Sequence, residues 1–166
     1  MATGGAGWFW FSVVATLCVA PVFVAIPFFG KNFQVTPEVF TAWYFAGVSL
    51  GVALWLAWRG RVAELVPARP VALAGVVLVG LILGAAANSS LFRAVSLAPN
   101  PGMPPVIYSG ASVIVFLGSA VLADRLPRFF TQVSTDLDRF LGILLVITGV
   151  FLTAGGWSLL RHAVGR

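Results

Sequence analysis

GLILGAAANSSLFRAVSLAPNPGMPPVIYSGASVIVFLGSAVLADRL, residues 80–126, holds the reading of the whole chain. An apolar run turns polar at Asn88, Ser89, Ser90 and Arg93, breaks at Pro99, Pro101, Gly102, Pro104 and Pro105, and resumes as a second apolar run ending at Asp124 and Arg125. Each run is long enough for a helix, and the proline-rich break between them is a turn. Nowhere else do hydrogen-bonding and ionisable groups lie so deep among apolar residues, so this hairpin is where a ligand site is expected first.

The rest of the 166 residues repeats the same grammar. The chain is 60% hydrophobic and 9% charged, with a mean hydropathy of +1.01, whereas about a quarter of a soluble domain is charged. Charges stand between charge-free runs, and each run is long enough for the roughly 20 residues that cross a bilayer as a helix. The runs lack the period-two alternation of barrel strands, and helices satisfy their own backbone in lipid. The sequence therefore predicts an all-α, polytopic membrane protein of five transmembrane helices in one domain, at residues 7–29, 38–58, 71–97, 104–123 and 140–160. Localisation as an integral multi-pass protein of the plasma (cell) membrane follows as the expectation.

Other features refine this picture. The net charge of +5 comes from arginines in short connections, the usual border position of basic residues in membrane proteins, so nucleic acid is not an expected partner. Cys18 is the single cysteine and precludes an intramolecular disulfide. Trp8 to Phe11 form an aromatic border to a first helix that is expected to be retained, kinked near Leu17 to Pro21, and closed by Pro27 and Gly30. Thr36-Pro37-Glu38 reads as a helix start, with a cap, a first-turn proline and an acid at the positive dipole end. Gly47/Gly51 and Gly80/Gly84 are GxxxG pairs of the kind that admit a close neighbouring helix.

At about 100° per residue, Ser89, Arg93 and Ser96 fall within roughly 60° on the third helix, away from its glycines. Tyr108, Ser112 and Ser119 share a stripe about 40° wide on the fourth. The two stripes can face each other across the hairpin, or serve only packing through bonds to their own carbonyls. Asn88, Ser89, Arg93, Tyr108 and Ser112 are the candidate substrate-binding residues. Arg93 lies roughly 13 Å from the centre of its span, near enough to the border to snorkel and deep enough to hold an anionic group. The connection from Arg125 to Arg139 is long, polar and interleaved with Phe129 and Phe130, as in a segment lying along the membrane surface. His162 falls beyond the last apolar run, in a solvated position.

The order of these features resembles the EamA domain of the drug/metabolite transporter superfamily. GLILGAAANSSLFRAVSLAP looks like that family's third helix, with Ala94 and Val95 at its alanine-leucine pattern. ASVIVFLGSAVLADRL is similar to its fourth, with Asp124, Arg125 and Leu126 in the places of glutamate, arginine and leucine; LGILLVITGVFLTAGG is similar to its fifth, and APVFVAIPFF to the middle of its first. Asp124, Trp43 with Tyr44 where arginine is frequent, and the long connection before Gly142 depart from the pattern. Such transporters usually carry two five-helix units in opposite orientation, so the resemblance implies a homodimer or a partner half-unit, or loss of transport.

No Asp, Glu, Lys or His lies mid-span, which disfavours proton-coupled exchange of cations. No metal cluster, cofactor motif, nucleophile triad or acid pair is expected, so neither a catalytic residue nor an enzyme activity is assigned. Two classes stay open: a transporter of small polar metabolites or drugs acting as paired half-units in the lipid bilayer, and a non-transporting membrane scaffold or accessory subunit.

Overall fold

The computed structural model describes residues 7–123, 125–127 and 137–156. It is helical throughout, with no strand among the described residues. We label the principal helices α1 (Gly7–Phe33), α2 (Pro37–Trp58), α3 (Pro70–Leu97), α4 (Met103–Leu122) and α5 (Leu137–Thr153). The first four are long and apolar enough to cross a membrane. The fifth contains a shorter apolar stretch, Phe140–Thr153. The chain divides into two compact units, Met1–Pro101 and Gly102–Arg166.

In the first unit, α1 outlasts its expected end at residue 29 by a full turn. Pro21 and Pro27 both lie inside it. A proline removes only its own N–H from the ladder, and here the last turn is held by Asn32, whose Nδ2 donates to the Phe28 carbonyl at 2.9 Å. The helix stops at Gln34, whose φ of 55° no helix accommodates. Residues 34–36 then turn the chain, and α2 starts as its sequence reads: Thr36 accepts from the Val39 N–H at 3.4 Å, Pro37 opens the helix, and Glu38 sits in the first turn.

At its far end α2 closes on Arg59, whose guanidinium lies 4.2 Å from the centre of the Trp55 ring. Gly60 takes a positive φ of 69° in the turn that follows. A short 3-10 segment, Val62–Leu65, carries Arg61 to α3. Arg61 and Glu64 pair through two hydrogen bonds of 2.5 Å. That bond raises the Arg61 pKa above its ordinary value.

Within α3 the residues Gly80–Gly84 form a π turn, which the sequence reading treated as plain helix. The Ala85 N–H reaches back five residues to the Gly80 carbonyl, so the helix widens by one residue there. Beyond it, Leu91, Phe92 and Val95 are buried with Ile26 of α1, and Val22, Phe23, Phe40 and Tyr44 pack around them. Phe92 is edge-on to Phe40 and stacks with Phe45 at 6.3 Å, so α2 and α3 are joined by aromatic rings. The core thus sits where α1 ends, α2 begins and α3 ends.

In the second unit α4 is interrupted at Ser109, between the helical segments Met103–Tyr108 and Gly110–Leu122. The Ser112 N–H bonds the Ser109 carbonyl three residues back at 3.0 Å, which tightens the winding between Tyr108 and Ser112. Stripe arithmetic for an even helix does not carry across that point. α5 runs from Leu137 to Thr153, and helix is taken up again at Gly156, the last described residue. The stop at Thr153 is a glycine effect: Gly155 has φ 75°, a left-handed conformation common just past helix ends. Asp124, the surface connection at 128–136, residues 157–160 of the fifth span, and Arg161, His162 and Arg166 lie outside the described residues.

A polar cleft between two spans as candidate functional site

The clearest site in the first unit forms between α2 and α3, because one face of α3 there is built of small residues. Gly80, Gly84, Ala85 and Asn88 line one wall, and Thr41, Ala42 and Phe45 the other. The cleft encloses about 360 Å³, within the roughly 300–1,000 Å³ of small-molecule pockets. Positions 80, 84 and 88 share a helix face by their spacing of four. The extra residue of the π turn sets where that face points.

The glycines serve this space and not close packing within the unit. A Cβ built on Gly80 would meet nothing within 4 Å, and one on Gly84 only the Val79 carbonyl of its own helix at 3.8 Å. Gly47 and Gly51 likewise approach no neighbour within 4 Å. The close helix contact expected of both GxxxG pairs is therefore not made within the described residues. The core that joins α2 to α3 lies elsewhere, at Phe40, Tyr44 and Phe92.

Two polar groups line the cleft. Thr41 is the buried polar residue of the described chain, with 7% of its surface exposed, and its hydroxyl donates to the Pro37 carbonyl at 2.7 Å. Its oxygen is left to act only as an acceptor. Asn88 is half-buried and donates Nδ2 to the Gly84 carbonyl at 2.8 Å. Because a carbonyl cannot donate, this bond fixes which end of the amide is nitrogen. One N–H and the amide oxygen of Asn88 have no hydrogen bond among the described residues.

A second cavity of about 310 Å³ lies against the α1–α2 turn, lined by Phe29, Val35, Val39, Phe40, Trp43 and Tyr44. Its walls are aromatic and aliphatic, and the side chains among them able to hydrogen-bond are the Trp43 indole and the Tyr44 phenol.

Of the candidate residues from the sequence, Asn88 lines the cleft. Ser89, next to it, is half-buried, and Arg93 is exposed; neither lines either cavity. Tyr108 is 50% exposed and Ser112 is exposed, donating to the Ser109 carbonyl at 2.5 Å. Both belong to the second unit, while Asn88, Ser89 and Arg93 belong to the first. Thr41 was passed over in the sequence because a lone hydroxyl in an apolar span reads as packing. Its place opposite Asn88 is a tertiary fact. Among the described residues no cluster of His, Cys, Asp or Glu could hold a metal ion. No protein-family profile, curated protein or solved structure matches the chain.

Proposed function

We propose that the protein is a half-unit of a small-molecule transporter of the drug/metabolite transporter type. It crosses the cell membrane five times and works as an antiparallel pair or with a partner half, moving small polar metabolites or drugs. The observation that carries this reading is the cleft between α2 and α3, where Thr41 and Asn88 place hydrogen-bonding groups between two membrane-length helices. Polar groups at such positions are costly in lipid and are characteristic of ligand pathways. The order of motifs that resembles the EamA domain supports it, as do the glycine pairs that meet no neighbour within the unit.

In this reading Asn88 and Ser89 contact substrate in the first unit, with Arg93 at the border as a further contact; Tyr108 and Ser112 are the polar candidates of the second. A tracer uptake screen in proteoliposomes tests it. At least one small polar compound should enter above empty vesicles, and Arg93→Ala should abolish its entry while the protein stays inserted and paired. Absence of uptake for every compound rejects the transporter reading, and only monomers on crosslinking rejects the paired half-unit.

One observation favours a scaffold instead. Ser12, Thr16, Ser96 and Thr148 all donate to carbonyls of their own helices, so much of the polar inventory is spent internally. A scaffold would pair or bind other proteins without moving any compound in the same screen.

A further inference from the structure

We infer that the α2–α3 cleft is a binding site for an uncharged amide-like molecule: a compact apolar body carrying one carboxamide, lactam or comparable donor–acceptor pair. The inference rests on the transporter reading only in calling that molecule a substrate, since binding is measured apart from transport.

Charge is the first part of the argument. The cleft walls are Thr41, Ala42, Phe45, the two glycines, Ala85 and Asn88, and none of them ionises. A charged ligand group placed there would leave water without a counter-charge, which is strongly unfavourable in a low-dielectric site. Arg93, the nearest cation along α3, does not line the cleft.

Hydrogen bonding is the second. Asn88 spends one N–H on the Gly84 carbonyl, and that bond holds the amide in place. The remaining N–H and the amide oxygen form a donor beside an acceptor, the pattern that another amide complements with two parallel bonds. Thr41 adds an acceptor on the opposite wall, its proton committed to Pro37. A hydrocarbon ligand would leave these groups unsatisfied, and unsatisfied polar groups make a site reject ligands lacking the matching group. Space is the third: Gly80 and Gly84 leave room that a side chain would fill, and Phe45 offers an aromatic wall to a ring.

The test uses the purified full chain in nanodiscs and three probes of nearly equal shape: neutral benzamide, anionic benzoate and cationic benzamidinium. Ligand-observed saturation-transfer NMR against empty nanodiscs ranks them. Saturable benzamide binding at least tenfold tighter than either charged probe is expected. Asn88→Leu should weaken benzamide at least tenfold, and Asn88→Asp should reverse the ranking in favour of benzamidinium, a gain that misfolding does not produce. Equal binding of the three, preference for a charged probe, or no benzamide binding by the wild type overturns the inference even if neither variant folds. A cleft filled by a second copy of the chain gives the last of these outcomes, with disulfide crosslinking through Gly80→Cys in a Cys18→Ser background. If benzamide binds as expected and no compound is taken up by proteoliposomes, the site stands and the transporter reading falls.

Discussion

Tyr44 of α2 lies edge-on to Phe92 of α3, with ring centroids 5.8 Å apart and planes at 64°. Phe92 is 3% exposed and also meets Phe40 and Phe45, so one side chain joins the second and third spans. Truncating it removes ring contacts and leaves a cavity. Phe92→Ala should lower stability by about 3 kcal/mol, read from denaturation in mixed micelles. Trp8→Ala, at a residue 68% exposed, should shift the same curve by less than about 0.5 kcal/mol.

The π turn makes a sharper prediction. It accommodates one residue more than an α-helix over the same length, so deleting Leu83 should let α3 rewind as regular helix without rotating the residues beyond it. Leu91, Phe92 and Val95 would keep their partners, and the melting temperature should stay close to that of the wild type. Deleting Val77 in regular helix should instead lower the melting temperature, since the core face would have to turn by about 100°.

Gly84→Leu separates assembly from folding. A Cβ there meets only its own helix at 3.8 Å, so the single chain should insert and fold normally. A leucine side chain would occupy the cleft and obstruct any helix that closes on the Gly80/Gly84 face. Crosslinked pairs should fall while circular dichroism stays unchanged; unaltered pairing would remove this face from the interface.

The five spans proposed above would place the chain ends on opposite faces. Single cysteines at Thr3 and Gly165, in a Cys18→Ser background, should react with a membrane-impermeant maleimide from opposite sides. Six basic residues on the amino-end side against four on the other favour a cytoplasmic amino end.

The Arg61–Glu64 pair is half-exposed on both sides. A base with a raised pKa stabilises the fold below its unfolded value and loses that contribution as pH rises through the folded one. For Arg61 the hydrogen bond to Glu64 raises the folded value above the unfolded one, and both belong to strongly alkaline solution. The melting-temperature difference between wild type and Glu64→Gln should therefore be the same at neutral pH and at about pH 10, and small because exposed pairs are screened by solvent.

Much of the architecture was legible in the residues. Run length located the four membrane-length helices, since a charge-free stretch of that size has no other place to go, and Thr36-Pro37 carried its own cap chemistry. Three features were not legible. Pro27 and Gly30 read as a helix end, but their effect is local and the following turn supplied its own bonds. The π turn was not legible because five-residue ladder bonds leave no composition signal. The glycine pairs read as helix contacts because spacing reports a smooth face without reporting what stands against it. Asn88 was found because a primary amide in an apolar run is conspicuous, whereas Thr41 gained its meaning only from the residue across from it.

Gln34 bears on how the protein is made. With φ at 55° and only residues 34–36 between α1 and α2, the two helices are tied as a short hairpin. Insertion into the bilayer then includes setting this strained reversal at Gln34. A glycine at position 34, which adopts that φ without strain, would ease this step, and its effect would be felt in the yield of correctly inserted chain.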